Sequence, residues 1–239
     1  MASAALLGEF RDINKGILAR AEADLEVFYA SLDLTDIARA REQLIDFMLA
    51  LVESYGRTSA LTAAQFYDAL RSASPNATGT YRAILGGNVT RVEIDGTVRW
   101  AVDGLLKGDE GSTLSRLSGA AQRYITNQGR DTIALNSYRD PSPGRWARVP
   151  SGPTTCGFCL SLASRGPVSR SEATARTASD GTAYHDRCDC QPVQIWTGDD
   201  LPDGYDPDAL YVEYKAARDE TGSGSLDVIA ARLDAERPR

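Results

Sequence analysis

The chain has 239 residues, 42% of them hydrophobic, which is enough to bury a sizeable core in one large domain or two modest ones. Its 26 basic and 33 acidic side chains give a net charge of −7, so the chain as a whole carries no electrostatic footprint for DNA or RNA. No apolar run approaches the ~20 residues of a membrane span, and the first residues lack the basic and apolar regions of a signal peptide.

The sequence therefore reads as one made and kept in the cytoplasm, where thiols stay reduced. Residues 199–239 hold 11 acidic and 5 basic side chains, nearly all of the net charge, and read as a solvated or partner-contacting extension.

Phe10, Ile13, Ile17, Ala21, Leu25 and Phe28 recur at three- and four-residue steps and predict a first amphipathic helix. A second is predicted from Thr35 to Tyr55, with Ile37, Leu44, Ile45, Met48 and Val52 on its buried face and Gly56 as its stop. Thr62 and Gln65 have capping-box spacing, which predicts a third helix from Ala63 to Ser72. Ser74–Gly79 and Gly86-Gly87-Asn88 read as breaks. From Asn88 to Val102 the alternation of Val89, Arg91, Glu93 and Asp95 with Val92 and Ile94 predicts a hairpin turning at Asp95-Gly96.

A long helix follows from about Leu114 to Arg139, ended by Asp140-Pro141 because proline cannot extend a helix. Arg145–Val149 and Pro192–Trp196 read as two strands able to pair. A short helix over Leu160–Ser164, a brief one behind the Ser169/Glu172 capping box, a helix opened by Asp206-Pro207, and a short amphipathic helix over Leu226–Leu233 complete the set. The fold class is α+β, predominantly helical: a helical region over 1–106, a helix with a small antiparallel sheet and a stapled loop over 107–198, and the acidic extension over 199–239. There is no internal repeat, glycine-rich phosphate loop or heptad run.

All four cysteines and the only histidine fall within 35 residues: Cys156-x-x-Cys159, then His185-x-x-Cys188-x-Cys190. That is the ligand spacing of a structural zinc site, which takes four ligands in a tetrahedron. Five candidates are present, and Cys156, Cys159, His185 and Cys188 are favoured by common spacing. Cys190 can replace His185 or Cys188. A His-dependent enzyme would have to use His185, and a histidine committed to zinc cannot act as a general base. Arg145, Arg148, Arg165, Arg170, Arg176 and Arg187 surround the cluster, against Glu172, Asp180, Asp186 and Asp189; they read as a solvated basic face, or as a contact to packaged DNA or to an acidic partner surface.

Cys156-x-x-Cys159 and His185-x-x-Cys188-x-Cys190 followed by Pro192-Val193, together with the preceding helix segment Gly129-Arg130-Asp131-Thr132-Ile133-Ala134-Leu135-Asn136, resemble the phage Mu F-like minor head proteins, particularly those of actinobacterial phages. The likeness covers about residues 110–197. It implies a minor capsid protein, incorporated at procapsid assembly inside the head near the portal, with portal, scaffold or major capsid subunits as partners and no membrane association. Some relatives are labelled capsid maturation proteases, so a peptidase role travels with the family. The sequence offers no second histidine and no nucleophile motif for it.

Overall fold

The computed structural model describes residues 2–106, 108–150, 155–168, 184, 186, 188 and 190–236. In chain order they form α1 (Ala2–Ala30), α2 (Ile37–Ala73), α3 (Arg91–Leu106), α4 (Glu110–Arg139), β1 (Gly144–Val149), α5 (Gly157–Ala163), β2 (Gln191–Trp196), α6 (Pro207–Thr221) and α7 (Leu226–Ala235). The α+β, mainly helical class expected from the sequence is the class observed. The brief helix expected behind Ser169 lies outside the described residues.

Two long helices, α2 and α4, form the axis. Asp36 caps α2 by accepting the Arg39 N–H, and Asp109 caps α4 by accepting the Ser112 N–H. The apolar stripe of α2 (Leu44, Ile45, Met48, Val52) meets Ile17 and Leu25 of α1, Ile94 and Val98 of α3, and Leu117 and Ile125 of α4 in one buried cluster. A second cluster joins Leu7 and Phe10 of α1, Phe66, Tyr67 and Leu70 of α2 and Ile133 of α4 to Ala147, Val149, Val193 and Ile195 of the sheet. Residues before position 106 and after it thus share both cores.

α2 does not stop at Gly56. The glycine lies inside a 37-residue helix, where an added Cβ would fall 2.0 Å from Nε2 of Gln128 on α4. Gln128 donates from that nitrogen to the Val52 carbonyl at 3.1 Å. Gly56 is therefore a point of close approach between helices rather than a terminator. Thr62, expected to cap a new helix, donates instead to the Thr58 carbonyl within the same helix.

The hairpin expected over 88–102 is α3. Thr90 and Glu93 form a capping box: the Glu93 carboxylate accepts from the Thr90 N–H at 2.9 Å, and Thr90 Oγ1 accepts from the Glu93 N–H at 3.3 Å. Ile94, Val98, Ala101 and Val102 then fall on one buried face at helical spacing, and Asp95 pairs with Arg99 one turn on. Long-range burial of that face outweighs a short local alternation.

Between α2 and α3 the chain runs irregularly along α4, and side chains of α4 take the place of a backbone ladder. Asn136 accepts from the Ile84 N–H at 2.9 Å and donates to the Ile84 carbonyl at 2.7 Å. Thr132 accepts from the Gly86 N–H and shares its hydroxyl proton between the Gly86 and Gln128 carbonyls. Gly87 has φ +77°, and a Cβ there would lie 2.7 Å from the Gln128 Cα.

β1 and β2 pair antiparallel as expected, with Arg145 opposite Ile195 and Ala147 opposite Val193. The acidic C-terminal stretch is not simply a solvated extension. Asp206 caps α6, Gly222 ends it in the left-handed region, and Ala217, Ile229 and Leu233 pack on Leu160 of α5. The apolar face is narrow, so composition alone reports the acidic outer surface.

Gly87→Ala should lower stability by about 2–4 kcal/mol, because it adds backbone strain and a clash with backbone. Gly8→Ala, where nothing lies within 4 Å of the added carbon, should be neutral or slightly stabilising. Denaturant midpoints of the two variants against the parent check both.

Candidate metal centre

The first cysteine pair sits where β1 leads into α5. Cys156 is the N-cap of α5, half-buried, and its Sγ accepts the Cys159 N–H at 3.3 Å. Cys159, in the first turn, is fully buried. The second pair enters β2: Cys188 and Cys190 are both buried, and Cys190 directly precedes the strand. Pairing of β1 with β2 brings these two chain segments together.

The Sγ atoms of Cys159, Cys188 and Cys190 all lie within 4.8 Å of one another, with Cys159 and Cys188 3.3 Å apart. A tetrahedral ion bound at about 2.3 Å would hold its sulfurs about 3.8 Å apart, so the three thiols are close enough to hold a metal ion. Cys156 packs at the edge of this cluster without joining the compact group of three. His185 lies outside the described residues.

Arg130, in the middle of α4, is 2% exposed and spends its donors on the loop that carries the second pair. It donates to the Cys188 carbonyl at 2.6 Å and to the Cys190 carbonyl at 3.0 and 3.1 Å, and within α4 to Thr126 Oγ1 and Asn127 Oδ1, both at 3.1 Å. Fixing the carbonyls of two ligand residues fixes the direction of their side chains.

Two cations lie against Tyr184. The Arg130 and Arg148 guanidinium carbons are each 3.9 Å from its ring centroid. Burial pushes the Tyr184 phenol up to about 12, against the pull of Arg148 and Arg130. Arg148 also points Nη1 at the Cys159 sulfur, 3.9 Å away.

The thiols titrate as a group. Hydrogen bonds from Cys159 and Cys190, with Arg130 and Arg148 nearby, hold Cys188 well below the ordinary thiol range. Hydrogen bonds to Cys156 and then to Cys188 and Cys190, with burial, hold Cys159 well above it. Burial opposes the charge on the Arg148 guanidinium, but Tyr184 and the cysteines beside it raise it above its ordinary range. Three buried sulfurs, of which Cys188 favours the thiolate, form a donor set suited to a soft metal ion.

The expected basic face is resolved into different parts. Arg148 is buried and faces the cysteines, Arg145 and Arg165 are exposed, and Arg170, Arg176 and Arg187 lie outside the described residues. Asp186 pairs with Arg123 of α4 at 2.5 Å. Arg130 and Tyr184 escape sequence reading as site residues. The trace they leave is Arg130 inside the helix segment quoted above and Tyr184 directly before His185.

Arg130→Lys keeps the charge but cannot bridge both carbonyls or stack flat on Tyr184. It should cost about 2–4 kcal/mol and loosen the cysteine loop. Thermal unfolding, with thiol accessibility measured in the native state, checks this.

No helix among the described residues is long and apolar enough to cross a membrane. Comparison with curated proteins and with solved structures finds no match. A family model described as VG15 protein matches residues 1–217, so the chain belongs to the VG15 protein family, a phage-type family.

Proposed function

We propose that the protein is a phage minor head protein of the Mu F-like kind, acting structurally in procapsid assembly inside the head near the portal, with a zinc ion stapling its cysteine loop. The observation that carries this reading is the compact, buried Cys159, Cys188 and Cys190 group in a chain of phage-type family. Four of Cys156, Cys159, His185, Cys188 and Cys190 hold the ion. Zinc supplies a cross-link between the start of α5 and the start of β2, and in small motifs such binding releases about 10–16 kcal/mol, comparable with the stability of a whole domain.

The staple suits this fold because an isolated two-stranded sheet is marginal. β1 and β2 need α4 on one side and the cross-link at the end. Residues 1–106 supply assembly contacts to portal, scaffold or major capsid subunits. Val92, Trp100 and Leu106 of α3 are exposed and offer apolar surface for them. The exposed Arg145 and Arg165 permit a weak, salt-sensitive contact with packaged DNA.

Protein purified in reducing, chelator-free buffer should carry about one zinc per chain, lost in Cys190→Ser, and chelation should lower the melting temperature. The full chain should co-sediment with procapsids. Metal-free protein would remove the staple, and absence from procapsids would remove the head role. A His185→Ala variant that keeps metal and fold but loses peptidase turnover would make the protein an enzyme instead.

A further inference from the structure

Among the described residues the sheet has two strands, and none pairs with the outer edge of β2. The Thr197 N–H donates to the Pro143 carbonyl at 3.0 Å, which with the register makes Gly144 and Trp196, and likewise Trp146 and Gln194, non-hydrogen-bonded pairs. The backbone N–H and C=O of Gln194 and the N–H of Trp196 therefore point away from β1. The Trp196 carbonyl is taken by the Asp199 N–H at 2.9 Å, but among the described residues nothing bonds to the Gln194 N–H or C=O. Pro192, the next outward-facing position, lacks an N–H, as suits an edge strand.

A groove of about 240 Å³ runs along this edge, touched by the four consecutive residues Val193–Trp196, with Leu70 and Ala73 of α2 on its far side. Gln194 is 3% exposed, and both ends of its side-chain amide also lack a partner among the described residues. A buried residue with this many unanswered polar groups is rare in a folded protein. Asp199 and Asp200 also line it. Asp199 accepts from Ser74 and Asn76, whereas Asp200 is exposed, and residues 199–239 carry 11 acidic against 5 basic side chains.

We propose that the open edge of β2 is a strand-addition site for an extended segment of a partner protein carrying basic side chains. The partner's backbone pairs with Gln194 and Trp196, and a lysine or arginine meets Asp200. The groove admits only a short stretch, so affinity comes from a few main-chain bonds and specificity from charge. This site lies toward the far end of β2 from the cysteine cluster and uses none of the cysteines.

The test uses the full-length, isotope-labelled protein with two capped hexapeptides, one alternating lysine with valine and the other glutamate with valine. The lysine peptide should shift the Gln194 and Trp196 amide resonances saturably and slow exchange of the Gln194 amide. Asp200→Lys should weaken binding about tenfold. Ala73→Trp, which fills the groove from an exposed position, should abolish it. The proposal is overturned by no shift at about 1 mM peptide, by an equal response to the glutamate peptide, or by full binding to both variants. A Gln194 shift that follows protein concentration without peptide overturns it too, by assigning the edge to a second copy.

Discussion

A buried guanidinium with no room for error organises this protein. Arg130 is buried on α4, and a cation there is tolerated only if its donors are met and its charge is answered. Carbonyls of Cys188 and Cys190 and two side chains of its own helix meet the donors. Tyr184 covers its face, and Cys188, held toward the thiolate, supplies negative charge nearby. Because each of these partners lies on the loop entering β2 or on α4, satisfying Arg130 sets how the loop lies on the helix.

The same helix governs the rest of the fold by similar means. Over less than three turns Gln128 reaches the Val52 carbonyl, Arg130 the cysteine loop, Thr132 the Gly86 backbone, and Asn136 the Ile84 backbone. Gln128, Thr132 and Asn136 follow one another along one face of α4 and Arg130 points from the other side, so α2, the 74–90 segment and the cysteine loop are each registered against one rigid element. Glycines at 56 and 87 let the neighbours come close enough for it. A sequence segment that looks like an ordinary amphipathic helix is thus a set of polar attachments.

The metal centre and the open edge occupy opposite ends of β2. At its start, Cys190 and Cys188 join Cys159, where soft donors and buried cations concentrate charge. At its end, the turn after Trp196 brings Asp199 and Asp200 beside unpaired backbone. A two-stranded sheet has little stability of its own, and this one rests on α4, with the cysteine group at the start of β2.

Helices with strong periodicity, the capping of α6 by Asp206, the end of α4 at Asp140-Pro141 and the pairing of the two strands were legible from residues 10–28, 114–149 and 192–214, because local geometry and short-range burial decide them. The cysteine spacing likewise pointed to residues of which the fold brings three, Cys159, Cys188 and Cys190, within 4.8 Å of one another. The sequence could not tell whether Gly56 ends a helix or lets α4 approach, because both uses depend on the same missing side chain. It could not show that 91–106 is helical, because the burial of Ile94 and Val98 comes from α1, α2 and α4. Nor could it identify Arg130 and Tyr184, whose role exists only once a loop 58 to 60 residues away folds back onto the helix. What lies within a few residues was determined by the sequence itself; what requires two distant surfaces to meet was decided by tertiary packing, since only there are buried charge and backbone paid their missing partners.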